Sequence, residues 1–157
     1  MTLEESVLES LAEWKPPSDG RHVHALGYEP AKVTLQLTAD RQDSLSCSVW
    51  ELILKCRANS IVNLQAWAER IAAQVTGLLE PLSVVEVDTT SNKALLRSQE
   101  PAKRKDSWFY YEIQLQGTHE AELRRYQAAT TSTKREQVAF TLTHEVLAHF
   151  VADLAGV

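Results

Sequence analysis

The sequence predicts an α+β fold: a mainly antiparallel sheet of six to eight strands with three helices (N-terminal, central and C-terminal) covering one face. Two patterns carry the prediction. Apolar and polar residues alternate over 32–38 and again over 107–116, the period of a half-buried strand. Neither stretch is the continuous apolar run of a parallel sheet. Three other segments repeat apolar residues at helical spacing.

Thr2 and Glu5 have the spacing of a capping box, in which each side chain satisfies a backbone N–H. Leu3, Val7, Leu8, Leu11 and Trp14 then form one stripe of a helix over 2–14. Lys15-Pro-Pro-Ser-Asp-Gly20 ends it, and 15–21 is expected to be a linker that attaches the helix loosely. The strand 22–28 places His22 and His24 on one face, read as an exposed pair rather than as ligands. Val33, Leu35 and Leu37 mark the next strand, and Asp40 to Ser44 the turn after it.

The strand 45–57 is expected to turn Trp50, Leu52, Leu54 and Cys56 inward. Cys47 and Cys56 are nine residues apart, about 30 Å along a strand, too far to bridge. The odd spacing sends them to opposite faces unless a bulge intervenes, and both are read as reduced. A second helix is expected from Ser60 or Asn63, with Leu64, Trp67, Ala68, Ile71, Val75 and Leu78 on its apolar face and Glu80-Pro81 as its stop.

Short strands follow at 82–90 and 92–98, then a charged loop, Glu100 to Asp106. The strand 107–117 turns Phe109, Tyr111, Ile113 and Leu115 to one side, and 119–128 pairs with it across Gly117-Thr118. A loop at 130–136 precedes one strand, 137–143, with Val138, Phe140 and Leu142 inward. The last helix runs from His144 to Ala155, with Thr143 as N-cap.

Residues 1–157 are read as a single domain, long enough to bury about 70% of the unfolded surface. A net charge of −5 argues against wholesale nucleic-acid binding. The opening residues lack the basic and apolar regions of a secretion signal, and no stretch reaches the roughly 18 apolar residues of a membrane span. The expected location is the cytoplasm, with no membrane contact. The five glycines stand apart, so no phosphate loop is formed, and Gly-x-Ser-x-Gly is absent. Glu51, Glu86 and Glu112 lie on separate strands with nothing in the sequence to pair them.

Thr143-His144-Glu145-Val-Leu-Ala-His149 resembles the zinc-protease signature His-Glu-x-x-His, but its histidines are five apart. At about 100° per residue they diverge by about 140° on a helix, so they are rejected as a metal pair, and no cofactor is expected. Glu145 and His149, four apart, are expected to pair on the exposed side. The candidate binding residues are Lys103, Arg104, Lys105, Trp108, Tyr110, Arg124, Arg125, Tyr126, Lys134 and Arg135. Over 101–135 seven basic side chains meet four acidic ones, with aromatics interleaved. That composition suits single-stranded nucleic acid or an acidic protein surface.

Three functions are therefore weighed. The leading one is a non-enzymatic binding or interaction module, a homo-oligomer or the partner of another protein. The second is a small-ligand-binding or hydrolase-like domain with a pocket between sheet and helix. The third is single-stranded nucleic-acid binding through 103–135.

Overall fold

The computed structural model describes residues 1–57, 63–78, 80–131 and 134–156. The elements in chain order are α1 (Leu3–Glu13), β1 (His22–Tyr28), a 3-10 turn (Glu29–Ala31), β2 (Val33–Gln42), β3 (Ser46–Cys56), α2 (Leu64–Gln74), β4 (Leu82–Asp88) and β5 (Lys93–Ser98). They continue as β6 (Ala102–Arg104), β7 (Ser107–Gln116), β8 (Glu120–Ala129), β9 (Arg135–Val138), β10 (Phe140–Thr143) and α3 (His144–Ala155). Seven strands lie in the order β1-β2-β3-β8-β7-β5-β4, while β6, β9 and β10 pair with β7, β8 and β3. Every pairing is antiparallel. The α+β class holds, with ten strands among the described residues rather than six to eight.

The added strands come from two misread segments. The charged stretch 100–106 is not all loop: β6 folds back on β7 through a two-residue turn in which Lys105 takes φ 55°. The segment 137–143 is not one strand, because it fills a fork. Leu52–Lys55 of β3 pairs with β8, but Ser46–Val49 pairs with β10. Likewise Glu120–Leu123 of β8 pairs with β3, but Arg125–Ala128 pairs with β9. So β9 runs into the opening between β3 and β8, the chain turns at Ala139, and β10 runs back out. Reversal at Ala139 lets both halves keep antiparallel ladders.

At the fork the β2–β3 register slips twice, leaving Trp50 extra on β3 and Asp40 extra on β2. The two extra residues meet, since Trp50 Nε1 donates to Asp40 Oδ2 at 2.9 Å. Gln137 Nε2 of β9 donates to the Trp50 carbonyl at 2.7 Å. Burial pulls the Asp40 carboxyl upward, but hydrogen bonds from Trp50 and Ser48 and the charge of Arg41 outweigh it and hold the group below its usual value. The bulge also shifts the side-chain phase. Cys47 and Val49 face the core before it and Leu52, Leu54 and Cys56 after it, so Trp50 is not an inward residue. Both cysteines thereby share the buried face and are free thiols.

Burial, then the nearby Asp43 carboxylate, pushes the Cys47 thiol up to about 12, and burial raises Cys56 as well. Neither thiol of the native protein is therefore expected to react within minutes with a disulfide reagent at about pH 8. Both should react at once in denaturant, and fast labelling of native Cys47 would contradict the burial.

The register places Leu35, Leu37, Leu52, Leu54, Leu123, Ile113, Leu115 and Leu96 on one face, and the three helices supply Leu3, Val7, Leu11, Trp67, Ile71, Leu147, Phe150 and Leu154 to the same core. The capping box of α1 is formed, with Thr2 Oγ1 accepting from the Glu5 N–H at 3.1 Å and Glu5 Oε2 from the Thr2 N–H at 2.9 Å. Asn63 caps α2; Ser60, the other candidate, lies outside the described residues. The helix stops at Gln74, before Glu80-Pro81. Thr143 caps α3, whose other end finishes at Gly156 in the left-handed region at φ 75°. No helix among the described residues is long and apolar enough to cross a membrane.

Ser10 and His24 Nε2 are hydrogen-bonded at 2.6 Å, and the His24 ring stacks on Trp14 at 4.8 Å. His24 is thus half-buried under α1 rather than one of an exposed pair. Burial lowers its pKa from the ordinary 6.5, so the folded chain prefers the neutral ring. The unfolded chain then takes up the proton first. The contribution is complete above pH 6.5 and is lost as pH falls through the lowered folded value. Stability of the wild type should fall more steeply than that of His24→Gln between about pH 7 and pH 5; parallel curves would refute the coupling.

Candidate interaction face

Six of the ten predicted binding residues come together on the sheet face that carries no helix. Trp108, Tyr110 and Glu112 of β7 stand opposite Ala128, Tyr126 and Arg124 of β8. Lys103 stands opposite Trp108, and Arg135 opposite Ala128. The strand period of two fixes this grouping, because the alternate residues Tyr111, Ile113 and Leu115 are buried on the helical side. Arg125 and Arg104 go the other way. Arg125 Nη1 donates to Glu80 Oε2 at 3.0 Å while its guanidinium sits 4.2 Å from the Tyr111 ring centre. Arg104 lies 5.5 Å over Phe109. Lys105 is in the hairpin turn, and Lys134 precedes β9 on the surface.

Glu112 is 3% exposed although no helix covers this face. Its cover consists of side chains. Arg135 Nη1 donates to Glu112 Oε2, and Arg97 Nη2 does so at 3.4 Å. The same cations lie on aromatic rings, Arg135 at 3.8 Å over Tyr126 and Arg97 at 5.2 Å over Tyr110. Lys103 lies 5.3 Å over Trp108, and the rings of Tyr110 and Tyr126 are 6.0 Å apart. Arg124 reaches across the fork, its Nε and Nη2 donating to Glu51 Oε2 at 2.8 and 2.6 Å, and also pairs with Glu122. Burial would lower the Arg135 and Arg124 pKa values, but the carboxylate and tyrosine partners raise both.

The carboxylates are therefore not isolated. Glu51 and Glu122 share Arg124, and burial raises the Glu122 pKa, with Arg124 opposing and Glu51 reinforcing the rise. Sequence reading missed Arg97, Glu112 and Gln137. Glu112 has the right parity beside Tyr110, but only the β5–β7 and β8–β9 pairings bring it two arginines.

Toward the other end of the same face, Glu86, Asp88, Lys93, Leu95, Gln114, Gln116, Glu120 and Glu122 line a cavity of about 320 Å³. A cleft of about 940 Å³ lies between the last turn of α1 with the linker after it and the end of β2 with its turn, Asp40 to Ser44.

No family model, no curated protein and no solved structure matches this chain.

Both histidines of α3 have side-chain partners. His144 is buried and its Nε2 donates to Gln42 Oε1 at 3.0 Å. That oxygen also accepts from Cys47 Sγ at 2.7 Å, while Gln42 Nε2 donates to the Leu11 carbonyl at the end of α1 at 2.7 Å. One amide thus ties α1, β3 and α3 together. His149 does not turn to Glu145: its ring lies 3.2 Å from Asp153 Oδ2 and 3.7 Å from Glu4 Oε1 of α1. Among the described residues, no group of three or more His, Cys, Asp or Glu side chains could hold a metal ion.

The open face offers preset cations on aromatic rings. Each of its arginines is already matched to a carboxylate.

Proposed function

We infer that this chain is a non-enzymatic protein-interaction module of the cytoplasm, acting as a homo-oligomer, and that it engages its partner through the open face of β3, β8, β7 and β9. One observation supports the reading above others. Trp108, Tyr110 and Tyr126 lie on the sheet face that carries no helix, each with a cation seated against its ring: Trp108 is exposed, Tyr110 half-buried and Tyr126 buried beneath Arg135. Trp, Tyr and Arg are the residues that concentrate binding energy at protein interfaces. Glu112 and Glu51 hold the arginines in place, so less side-chain freedom is left to lose on docking.

The same ion pairs weigh against single-stranded nucleic acid. Arg97 and Arg135 share the carboxylate of Glu112 and Arg124 faces both Glu51 and Glu122, so the three arginines with their three carboxylates carry no net charge with which to neutralise phosphates.

Light scattering on the purified chain at about 10 µM tests the reading. An oligomeric mass is expected, moving to the monomer in Trp108→Asp with the far-ultraviolet dichroism unchanged, since Trp108 is 37% exposed. A wild type that stays monomeric to about 100 µM would sink the self-association.

A further inference from the structure

We propose that a second copy of this chain is the partner of the open face, docked sheet to sheet with antiparallel strands, so that the basic β6–β7 hairpin of each copy lies over the acidic cavity of the other. The proposal rests on the interaction reading above and adds a partner and a register to it.

Charge is distributed along the strands, not scattered. Toward the Ser107 end of β7 stand Lys103, Lys105, Arg97 and Arg135, four cations against the carboxylates of Glu112 and Asp106. Toward the Gln116 end stand Glu86, Asp88, Glu120 and Glu122, four carboxylates against Lys93, Lys55, which pairs with Glu120, and Arg124, which Glu122 shares with Glu51. Asp88 accepts from Ser91 Oγ at 2.7 Å and from the backbone N–H groups of Thr90 and Ser91, contacts that lower its pKa and keep it ionised.

Trp108 and Gln116 are eight residues apart, so the two ends lie about 26 Å from each other. A two-fold axis across the strands, near Glu112 and Arg124, exchanges these ends. Each positive end then meets a negative one, whereas a parallel stacking would set lysines against lysines. Stacked sheets sit about 10 Å apart, a gap that Lys103, Trp108 and Arg side chains span. Four strands over that length present roughly 500 Å² per copy, near the lower limit of about 1,000 Å² in total for a specific interface. The pairing should therefore be reversible and salt-sensitive. A nucleic acid or other polyanion fits the positive end alone and is repelled by the other.

The test is a charge exchange. Lys103→Glu/Lys105→Glu reverses one end and Glu86→Lys/Glu120→Lys the other, all at side chains on the molecular surface. Sedimentation at about 50 mM salt should show a wild-type dimer and at least tenfold weaker association for each variant alone. Mixed one to one, the two variants should form a dimer again, because both contacts are then complementary. That recovery also excludes misfolding as the cause of the loss. If both variants stay dimeric, or the mixture stays monomeric while the wild type dimerises, the face-to-face register is overturned and the broader interaction reading stands. A wild type that never associates removes both.

Discussion

Replacing Trp67 with alanine is expected to cost about 4 kcal/mol of folding stability. Trp67 is 1% exposed and is among the largest fully buried side chains. Its indole extends from α2 to α3, where Nε1 donates to the Leu154 carbonyl at 3.1 Å. Arg70, one turn later, donates to the carbonyls of Asp153 and Leu154 at 2.7 and 3.0 Å. Together they satisfy the last turn of α3 and place a cation at its negative end. Gly156 belongs to this arrangement: a Cβ there would come within 3.1 Å of the Arg70 guanidinium. Alanine at 67 leaves a cavity and removes one of the two donors to the Leu154 carbonyl, in a protein whose class has about 5–15 kcal/mol in total. A urea midpoint lowered at unchanged slope is the expected signature. Trp67→Phe keeps most of the volume and should cost only about 1–2 kcal/mol. A loss below about 1 kcal/mol for alanine would refute the anchoring role.

Glu112→Ala should cost about 2–3 kcal/mol, through charge rather than volume. The carboxylate is nearly enclosed, and its removal leaves Arg97 and Arg135 facing each other without an anion. Their side chains are 37% and 36% exposed, so water screens part of the cost and keeps it below that of a fully buried pair. Arg135→Ala in the Glu112→Ala background should cost much less than in the wild type, and the double-mutant cycle measures the coupling. Additive losses would show that the two groups act independently. Because the same arginines rest on Tyr110 and Tyr126, Glu112→Ala should also weaken self-association.

The local elements were legible because their signals are local. The Thr2–Glu5 box, the helical stripes of α1, α2 and α3, and the alternation of β2 and β7 each depend on residues within a few positions. So did the placement of Trp108 and Tyr110 on the face of β7 opposite Phe109 and Tyr111, whereas Tyr126 joined them only through the β7–β8 register. Trp50 was misplaced because its orientation depends on a bulge defined jointly with Asp40, ten residues earlier. The strand at 137–143 looked continuous because both halves carry strand-forming residues, and nothing in them announces a fork between β3 and β8. The bond of His144 to Gln42 was not legible because the two residues are 102 apart in the chain.

By itself, then, the sequence determined the class of fold, the three helices and their apolar faces, and which side chains of β7 share a surface. Propensity, capping and periodicity are short-range properties, so a chain read in order reveals them. Only the tertiary structure decided which strands lie side by side. That choice buried Glu112 beneath Arg97 and Arg135, joined Glu51 to Glu122 through Arg124, and left basic and acidic ends on one open face. Such pairings come from contacts between distant residues, whose partners are set by how the whole core packs.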